Sequence, residues 1–288
     1  MTYRIQESDA TLGATVTGVR LAALEPAEWR EIEAAFHARA VLIFPAQHLR
    51  AAEQVAFARR FGEIEHIVPG ADTVPVSNRR RDGTLYADGE GPMPILRGNE
   101  GWHTDSSYMP LAAKASVLSA EVVPARGGQT EWADMRAAYE SLEPSLRERL
   151  AALRAYHSLL YSQARAGQTQ QGDLGYGFSV DQPPLRPLVK IHPVTRRPAL
   201  FIGRHAFGIP GLAPEESERL LDSLVEQACR PPRTLQHAWS PGDVAIWDNR
   251  CVLHRARPWD HGEARVMHHT RIAGDPASEA AVGADASP

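Results

Sequence analysis

The sequence lacks several motifs that would place it in a common enzyme class. It contains no glycine-rich phosphate loop, no G-x-S-x-G elbow and no HExxH motif, so nucleotide-dependent transfer, serine hydrolysis and zincin chemistry have no support. Cysteine is scarce as well: only Cys229 and Cys251 occur, and neither belongs to a CxxC pair. We therefore expect reduced thiols in a cytoplasmic protein.

Long apolar segments and a strong excess of one charge are also missing. Residues 1–7 contain no apolar core of signal-peptide length, and no segment approaches the length of a membrane span. The 31 basic and 35 acidic residues give a formal net charge of -4, which argues against a general nucleic-acid or membrane-surface role. We expect neither nucleic acid nor a membrane among the partners of this protein.

The sequence shows no internal repeat, no linker and no domain boundary. Its 288 residues are enough to bury a substantial core, and double-layered β domains of this size are common. The residues from Asp275 onward are mostly small and polar. We therefore expect a single domain over residues 1–274 and a disordered tail over residues 275–288.

The apolar pattern favours a mainly β chain with helices packed on it. Helical spacing predicts a helix from Pro26, a second over 51–61, two within 134–155 and one over 214–228. Strands are predicted near 3–6, 13–19, 41–44, 234–239, 242–247 and 265–272. These elements fit a double-stranded β-helix, or jelly-roll, core with flanking helices. Two long polar segments, 68–98 and 162–184, are predicted to be active-site loops, the first as a lid and the second at the entrance.

A possible metal site lies at a His-X-Asp triplet in the middle of the chain. In a strand, His103 and Asp105 point to the same face while Thr104 points away, so both can reach one ion. His254 can complete the set from a strand that is distant in sequence but close in space. Two imidazoles and one carboxylate that leave coordination positions open are typical of non-haem Fe(II) oxygenases. The triplet alone is weak evidence, because His-X-Asp arises by chance in many chains.

A second pair of residues supports the metal site. Thr130 follows a Gly127-Gly128 turn at the start of a predicted strand, and Arg265 opens the last predicted strand. A guanidinium can hold a carboxylate with two hydrogen bonds, and a nearby hydroxyl can add a third. This suits an anionic cosubstrate that chelates the metal. Taken singly, Thr130 would be interpreted as an ordinary strand threonine and Arg265 as a surface arginine.

These segments together resemble the taurine dioxygenase/TfdA family of Fe(II)/2-oxoglutarate-dependent dioxygenases, over about residues 8–274. The motifs that carry the resemblance are Trp102-His103-Thr104-Asp105, Gly127-Gly128-Gln129-Thr130, Trp247-Asp248-Asn249-Arg250 and the segment from His254 to Arg265. The resemblance implies that His103, Asp105 and His254 bind Fe(II). It implies that Thr130 and Arg265 bind the distal carboxylate of the cosubstrate 2-oxoglutarate, with O2 as the oxidant. Since relatives commonly associate, it also implies a homo-oligomer.

A narrower resemblance concerns the substrate. The segments 11–19, 116–124, 185–190, 201–206 and 250–260 are similar to the aryloxyalkanoate branch, which cleaves phenoxyacetate and phenoxypropionate herbicides, and more to its (S)-phenoxypropionate type than to the (R) type. The implied reaction hydroxylates the carbon next to the ether oxygen. A phenol, a 2-oxo acid, succinate and CO2 are the products. The substrate is then a small anionic aromatic molecule.

The sequence alone does not decide which residues contact this substrate. Sulfonate-binding members carry an arginine where this chain has His269, which either meets the substrate or orients the metal ligands. Arg271 shares the face of a regular strand with His269 and could take over the anionic contact. His205 either touches the substrate carboxylate or caps a loop, and Tyr108 either shapes the pocket or satisfies the backbone.

Three alternatives remain beside this interpretation. The same chemistry could act on an alkyl sulfate, a sulfonate or a natural aromatic acid. A zinc hydrolase could use the same three ligands. A non-catalytic metal-binding or scaffold protein could share the fold, although a scaffold has no use for Thr130 and Arg265 at their positions.

Overall fold

We describe the fold from a computed structural model, which covers residues 3–168, 176–177 and 182–282. The strands are β1 (Arg4–Glu7), β2 (Ala14–Thr17), β3 (Val41–Phe44), β4 (Ile64–Glu65), β5 (Val74–Ser77), β6 (Ala115–Val122), β7 (Thr130–Asp134), β8 (Arg154–His157), β9 (Leu185–Pro187), β10 (Val189–Ile191), β11 (Pro198–Leu200), β12 (Ala206–Phe207), β13 (Thr234–His237), β14 (Val244–Asp248), β15 (Val252–Ala256) and β16 (Val266–Ile272). The helices are α1 (Pro26–Arg39), α2 (Ala51–Ala58), α3 (Met93–Gly98), α4 (Met135–Glu140), α5 (Pro144–Ala151), α6 (Leu159–Arg165), α7 (Pro214–Ala228) and α8 (Pro276–Glu279).

The main sheet runs in the order β1-β2-β3-β14-β6-β16-β4, and β5 pairs with β16 beside this path. Only the β2–β3 pair is parallel among these ladders. A second sheet, β13-β7-β15, packs against one face of it, where the indole rings of Trp132 and Trp247 lie 5.9 Å apart. Two facing sheets of mainly antiparallel strands confirm the predicted jelly-roll class.

Strand β14 explains why the central strands are continuously apolar. Its alternate residues Ala245 and Trp247 lie in the core between the two sheets, together with residues of β7 and β15. Val244 and Ile246 point to the opposite face and pack in a second core with residues of α1 and α2. Both faces of this strand are therefore buried, which removes the alternation of polar and apolar residues that an exposed sheet would show.

The predicted elements are present, with changes at their ends and inside the two long loops. The helix predicted over 51–61 ends at Ala58, and the segment 134–155 holds α4 and α5 and then enters β8. The predicted lid 68–98 contains β5 and α3, because β5 forms a ladder with β16 that local sequence does not reveal. Of the loop predicted over 162–184, α6 occupies the start, and residues 169–175 and 178–181 lie outside the described residues.

The C-terminal segment differs from the prediction of a disordered tail. Residues 275–282 are ordered and include α8, whose first turn is capped by the carboxylate of Asp275 at 2.9 Å from the amide of Ala277. The carbonyl of Glu279 accepts hydrogen bonds from Ala112 N at 3.1 Å and from Arg186 Nη1 at 2.9 Å. These partners are distant in sequence, so composition alone could not indicate them. The prediction for residues 283–288 lies outside the described part of the chain.

Among the described residues, no helix has the length and apolar character that a membrane crossing requires.

The buried imidazole of His157 predicts a specific acid sensitivity. It stacks on the ring of Phe201, with centroids 5.5 Å apart, and neither of its nitrogens has a hydrogen-bond partner among the described residues. Burial, with the charges of Arg186 and Lys190, holds the pKa of His157 well below its usual value. The unfolded chain therefore binds a proton below about pH 6.5 that the folded protein excludes, and stability falls as the pH falls.

We predict that H157F, which keeps an aromatic ring at this position, removes that contribution. The gain in Tm over the parent protein should widen by on the order of 5 °C between about pH 7.5 and pH 5. Thermal melts of both proteins across this range measure it. A gap that stays constant with pH would show that His157 does not titrate in this way.

Candidate active site

Two distant segments meet at the predicted metal site. His254 lies on β15, and main-chain hydrogen bonds join it to His103: the amide of His103 donates to the carbonyl of His254 at 3.0 Å, and the reverse bond is 2.7 Å long. The two imidazole rings lie with their centroids 4.2 Å apart. The strand-like pairing predicted for the third residue of the set is therefore present.

Asp105 shares this site because the triplet is extended. Thr104 turns away and donates its hydroxyl to the carbonyl of Asn249 at 2.8 Å. The carboxylate of Asp105 lies with Oδ2 3.6 Å from Nε2 of His254. Candidate ligand atoms of His103, Asp105 and His254 all lie within 4.8 Å of one another, and all three residues are buried. Two nitrogens and one carboxylate oxygen form a donor set that fits Fe(II).

The imidazoles are in the form that binds metals. Nδ1 of His103 lies 2.8 Å from the carbonyl of Gly101, and since a carbonyl can only accept, this nitrogen carries the proton and leaves Nε2 as a ligand. Burial lowers the pKa of His103 to about 4. Burial and the neighbouring His103 also hold the pKa of His254 well below its usual value. Neutral imidazoles are available at physiological pH without competition from protons.

The carboxylate of Asp105 is ionised although it is buried. Burial alone would raise its pKa, but the charge of Arg271 and the imidazoles of His254 and His269 hold it well below the usual value. Nη2 of Arg271 lies 2.9 Å from Oδ1. The hydroxyl of Ser116 donates to Oδ2 at 2.6 Å. The site thus presents an anionic oxygen ligand beside two neutral nitrogen ligands.

Thr130 and Arg265 lie in the same cavity and are arranged to meet an anion. The indole of Trp239 donates to the hydroxyl of Thr130 at 2.9 Å. The guanidinium of Arg265 lies 5.2 Å from the ring centroid of Trp259, and its Nε donates to the carbonyl of Gly128 at 3.2 Å. Burial lowers the pKa of Arg265 to about 10, and no carboxylate of the described residues pairs with it. A buried cation without a counter-charge favours an anionic ligand.

One cavity collects all nine residues that the sequence analysis singles out. They are His103, Asp105, Tyr108, Thr130, His205, His254, Arg265, His269 and Arg271. An apolar wall faces them, and part of it comes from the predicted lid; its members include Ile67, Val74, Pro92, Ile95, Leu96 and Trp259. The cavity therefore combines a metal-binding set, a buried unpaired cation and an apolar surface.

The residues proposed for substrate contact have distinct surroundings. His205 lies with Nδ1 2.8 Å from the hydroxyl of Ser162, and its ring is 4.9 Å from that of Tyr108. His269 stacks on Trp247 with ring centroids 5.9 Å apart, and its Nε2 lies 3.5 Å from Oδ2 of Asp105. Of the two roles left open for His269, its position beside the carboxylate favours the orienting one.

Sequence reasoning missed the residues that hold the metal set in place. Ser116 lies at the start of β6, in a segment that the sequence analysis quotes only for its family resemblance, and its contact with Asp105 was not predicted. Asn249 belongs to a motif that the sequence analysis quotes, but its role was not predicted: its Nδ2 donates to Ser116 at 2.9 Å, and its Oδ1 accepts from the indole of Trp247 at 2.9 Å. The signal that could have indicated this role is the position of Asn249, an amide side chain between the aromatic Trp247 and the candidate ligand His254.

Comparison with known proteins agrees with this site. The chain matches the family described as taurine catabolism dioxygenase TauD, TfdA family, over residues 4–272. It is 54% identical over 286 residues to the (S)-phenoxypropionate/alpha-ketoglutarate-dioxygenase of Sphingobium herbicidovorans, covering 97% of this chain and 98% of that protein. It is 51% identical over 287 residues to a protein of the same name from Delftia acidovorans, with coverage of 97% and 98%.

A solved structure is similar over the whole length. The crystal structure of AAD-2 in complex with Mn(II) and N-oxalylglycine has a TM-score of 0.88 and 37% sequence identity, and the alignment covers 98% of this chain and 100% of that chain. The protein therefore belongs to the TauD/TfdA family of dioxygenases. The family and the fold predicted from the sequence are confirmed.

The metal set makes a prediction that needs no substrate. H103A should weaken Mn(II) binding by more than about 100-fold, because losing a ligand should exceed the effect of losing an outer partner. H205A is the matched control, since its ring lies 5.8 Å from that of His103 but outside the set. Mn(II) titration followed by electron paramagnetic resonance measures both. Equal weakening in the two variants would place the metal elsewhere in the cavity.

Proposed function

We propose that the protein is an Fe(II)/2-oxoglutarate-dependent dioxygenase that hydroxylates the carbon next to the ether oxygen of an aryloxyalkanoate. The substrate is of the 2-phenoxypropionate or phenoxyacetate type. The products are a phenol, a 2-oxo acid, succinate and CO2. The observation that carries the proposal is the convergence of the two-histidine, one-carboxylate set with the unpaired Arg265 in one cavity, in a chain with more than half its residues identical to an (S)-phenoxypropionate dioxygenase.

The polar side of the cavity holds the metal and the cosubstrate. His103, Asp105 and His254 are the ligands of Fe(II), and they leave its remaining positions to the cosubstrate and dioxygen. Arg265 binds the distal carboxylate of 2-oxoglutarate with two hydrogen bonds, and the hydroxyl of Thr130 adds a third. Bound iron, with 2-oxoglutarate and dioxygen, supplies the oxidation of a C–H bond. The protein contributes orientation through these contacts.

The apolar side of the cavity orients the substrate. Its aryl ring packs on the wall that contains Ile95, Leu96 and Trp259, which excludes water from the reacting carbon. The substrate carboxylate then lies toward the polar side, within reach of His205. For this contact the hydroxyl of Ser162 donates to Nδ1 of His205, so that Nε2 carries the proton and donates to the substrate carboxylate. Tyr108, packed on the ring of His205, shapes the space between the apolar wall and the polar side of the cavity.

Three further expectations remain part of the proposal. Residues 1–274 form one dioxygenase domain, and the protein assembles as a homo-oligomer. It is cytoplasmic, which agrees with Cys229 and Cys251 both being free thiols.

The first experiment measures succinate formed by anaerobically purified protein given Fe(II), 2-oxoglutarate and air. We expect strong stimulation by (S)-2-phenoxypropionate, with phenol released in step and a weaker response to the (R) enantiomer. Equal low turnover with and without either compound would support the dioxygenase activity but contradict the proposal of an aryloxyalkanoate substrate. No succinate from iron-loaded protein would favour a hydrolase or a non-catalytic protein.

A second prediction concerns the cosubstrate. R265M removes a charge-assisted pair of hydrogen bonds and should raise the KM for 2-oxoglutarate by about 100-fold, whereas T130V should raise it by about 10-fold. Steady-state kinetics at saturating Fe(II) measure both, and the affinity of each variant for Mn(II) alone serves as the control. If R265M weakened Mn(II) binding as much as it raised this KM, Arg265 would act on the metal instead.

A further inference from the structure

The sheet places two residues directly beside the metal carboxylate. Arg271 on β16 pairs with Ser116 on β6 and, on its other side, with Glu65 on β4. Direct cross-strand partners project their side chains from the same face of a sheet. The three side chains therefore stand in one row under Asp105.

Two members of this row hold one oxygen each of the carboxylate of Asp105. Nη2 of Arg271 lies 2.9 Å from Oδ1, and the hydroxyl of Ser116 donates to Oδ2 at 2.6 Å. Oδ2 is also the oxygen that lies 3.6 Å from Nε2 of His254. Arg271 thus contacts Oδ1, whereas the shortest contacts of His254 and His269 are with Oδ2.

Arg271 is itself held from behind. Its Nη1 donates to the hydroxyl of Ser106 at 3.1 Å, and that hydroxyl donates to the carboxylate of Glu65 at 2.8 Å. Tyr176 also donates to Glu65. Ser106 directly follows Asp105 and has a φ of 55°, a left-handed conformation that a serine keeps only where its surroundings fix it. The hydroxyl of Ser106 therefore links Arg271 to Glu65. The turn after Asp105 and the guanidinium of Arg271 are held by this one chain of hydrogen bonds.

The guanidinium of Arg271 consequently has little left to offer a substrate. Both terminal nitrogens have partners, and Nε is buried without one in the part of the chain that the structure describes. Its side chain is 12% exposed. In contrast, Arg265 lies in the same cavity and pairs with no carboxylate of the described chain.

We propose that Arg271 is a positioning residue that acts on the metal through Asp105, fixing the carboxylate for coordination by a single oxygen, and is not the anchor of the substrate anion. This inference rests on the proposed function in taking Asp105 as a metal ligand. A carboxylate free to rotate would lose orientation and offer either oxygen. Groups that orient a metal ligand in this way typically contribute 10- to 100-fold to metal affinity.

The test uses metal binding by the full-length apoprotein without cosubstrate or substrate. R271M should weaken Mn(II) binding by about 10- to 100-fold, and R271K, which keeps the charge but lacks the fork, should lie between it and the parent. S116A should also weaken binding. R255M is the matched control: Arg255 lines the same cavity but pairs with Glu131 at 2.6 Å, so its loss should leave Mn(II) affinity unchanged. Melting curves check that each variant is folded, and R271K carries the test if R271M is not.

Substrate kinetics separate the two roles of Arg271. At saturating Fe(II), the KM of R271K for (S)-2-phenoxypropionate should stay within about 3-fold of the parent value, because its effect passes through the metal. Unchanged Mn(II) affinity with a KM raised more than about 10-fold would overturn the inference and make Arg271 a substrate contact. A parent protein that binds Mn(II) tightly but releases no phenol would refute the proposed substrate alone, since the Mn(II) arm still decides the role of Arg271.

Discussion

The site depends on one electrostatic requirement, which is that the buried carboxylate of Asp105 stays ionised. Burial opposes this, because an isolated charge in a protein interior loses several kcal/mol of hydration. The compensation comes from strand register: Arg271 and Ser116 are cross-strand partners, and each contacts one carboxylate oxygen. A pair of main-chain hydrogen bonds joins His254, on β15 of the second sheet, to His103. The ligand set is therefore a consequence of how distant strands are paired, and a shift of register by one residue would remove Arg271 and Ser116 from this face.

Two arginines, Arg271 on β16 and Arg265 just before it, show how the same side chain serves opposite purposes. Arg271 lies beside Asp105, and although burial alone would lower its pKa, this neighbour raises it well above the usual value. Arg265, which immediately precedes β16, has no such partner among the described residues, and burial lowers its pKa to about 10. The first charge is neutralised within the protein and stabilises a ligand. Under the proposed function, the second meets a dianionic cosubstrate, whose far carboxylate would provide the missing counter-charge. The difference lies in the neighbours and not in the residue type, so the strand pattern alone does not distinguish the two.

The different neighbours of Arg271 and Arg265 illustrate what could and could not be predicted from the sequence. The i, i+2 spacing predicted that His103 and Asp105 share a face, and the period of the last strand did the same for His269 and Arg271, because local geometry decides which side chains point together. The other residues of the cavity were predicted with the help of the family resemblance. The family resemblance identified the fold and the chemistry. What remained hidden depends on register between segments that are far apart in sequence. The sequence did not indicate that Ser116 and Glu65 are the cross-strand partners of Arg271, or that β5 forms a ladder with β16. For Arg271 the sequence indicated the face but not the partner: a substrate contact was expected, and the guanidinium lies beside the carboxylate of Asp105.

The ordered C-terminal segment follows from the same principle. Arg186 is buried, and it donates from Nε to the carbonyl of Ser107 at 2.6 Å and from Nη1 to the carbonyl of Glu279 at 2.9 Å. Ser107 lies two residues beyond Asp105, so one guanidinium joins the exit of the metal-binding segment to the C-terminal helix α8. The partners on both sides are main-chain carbonyls, which every residue possesses. A small and polar composition therefore predicts disorder correctly only where no side chain elsewhere in the fold donates to the main-chain carbonyls of the segment. Here the donor is Arg186 on β9, a strand that is distant in sequence from both segments.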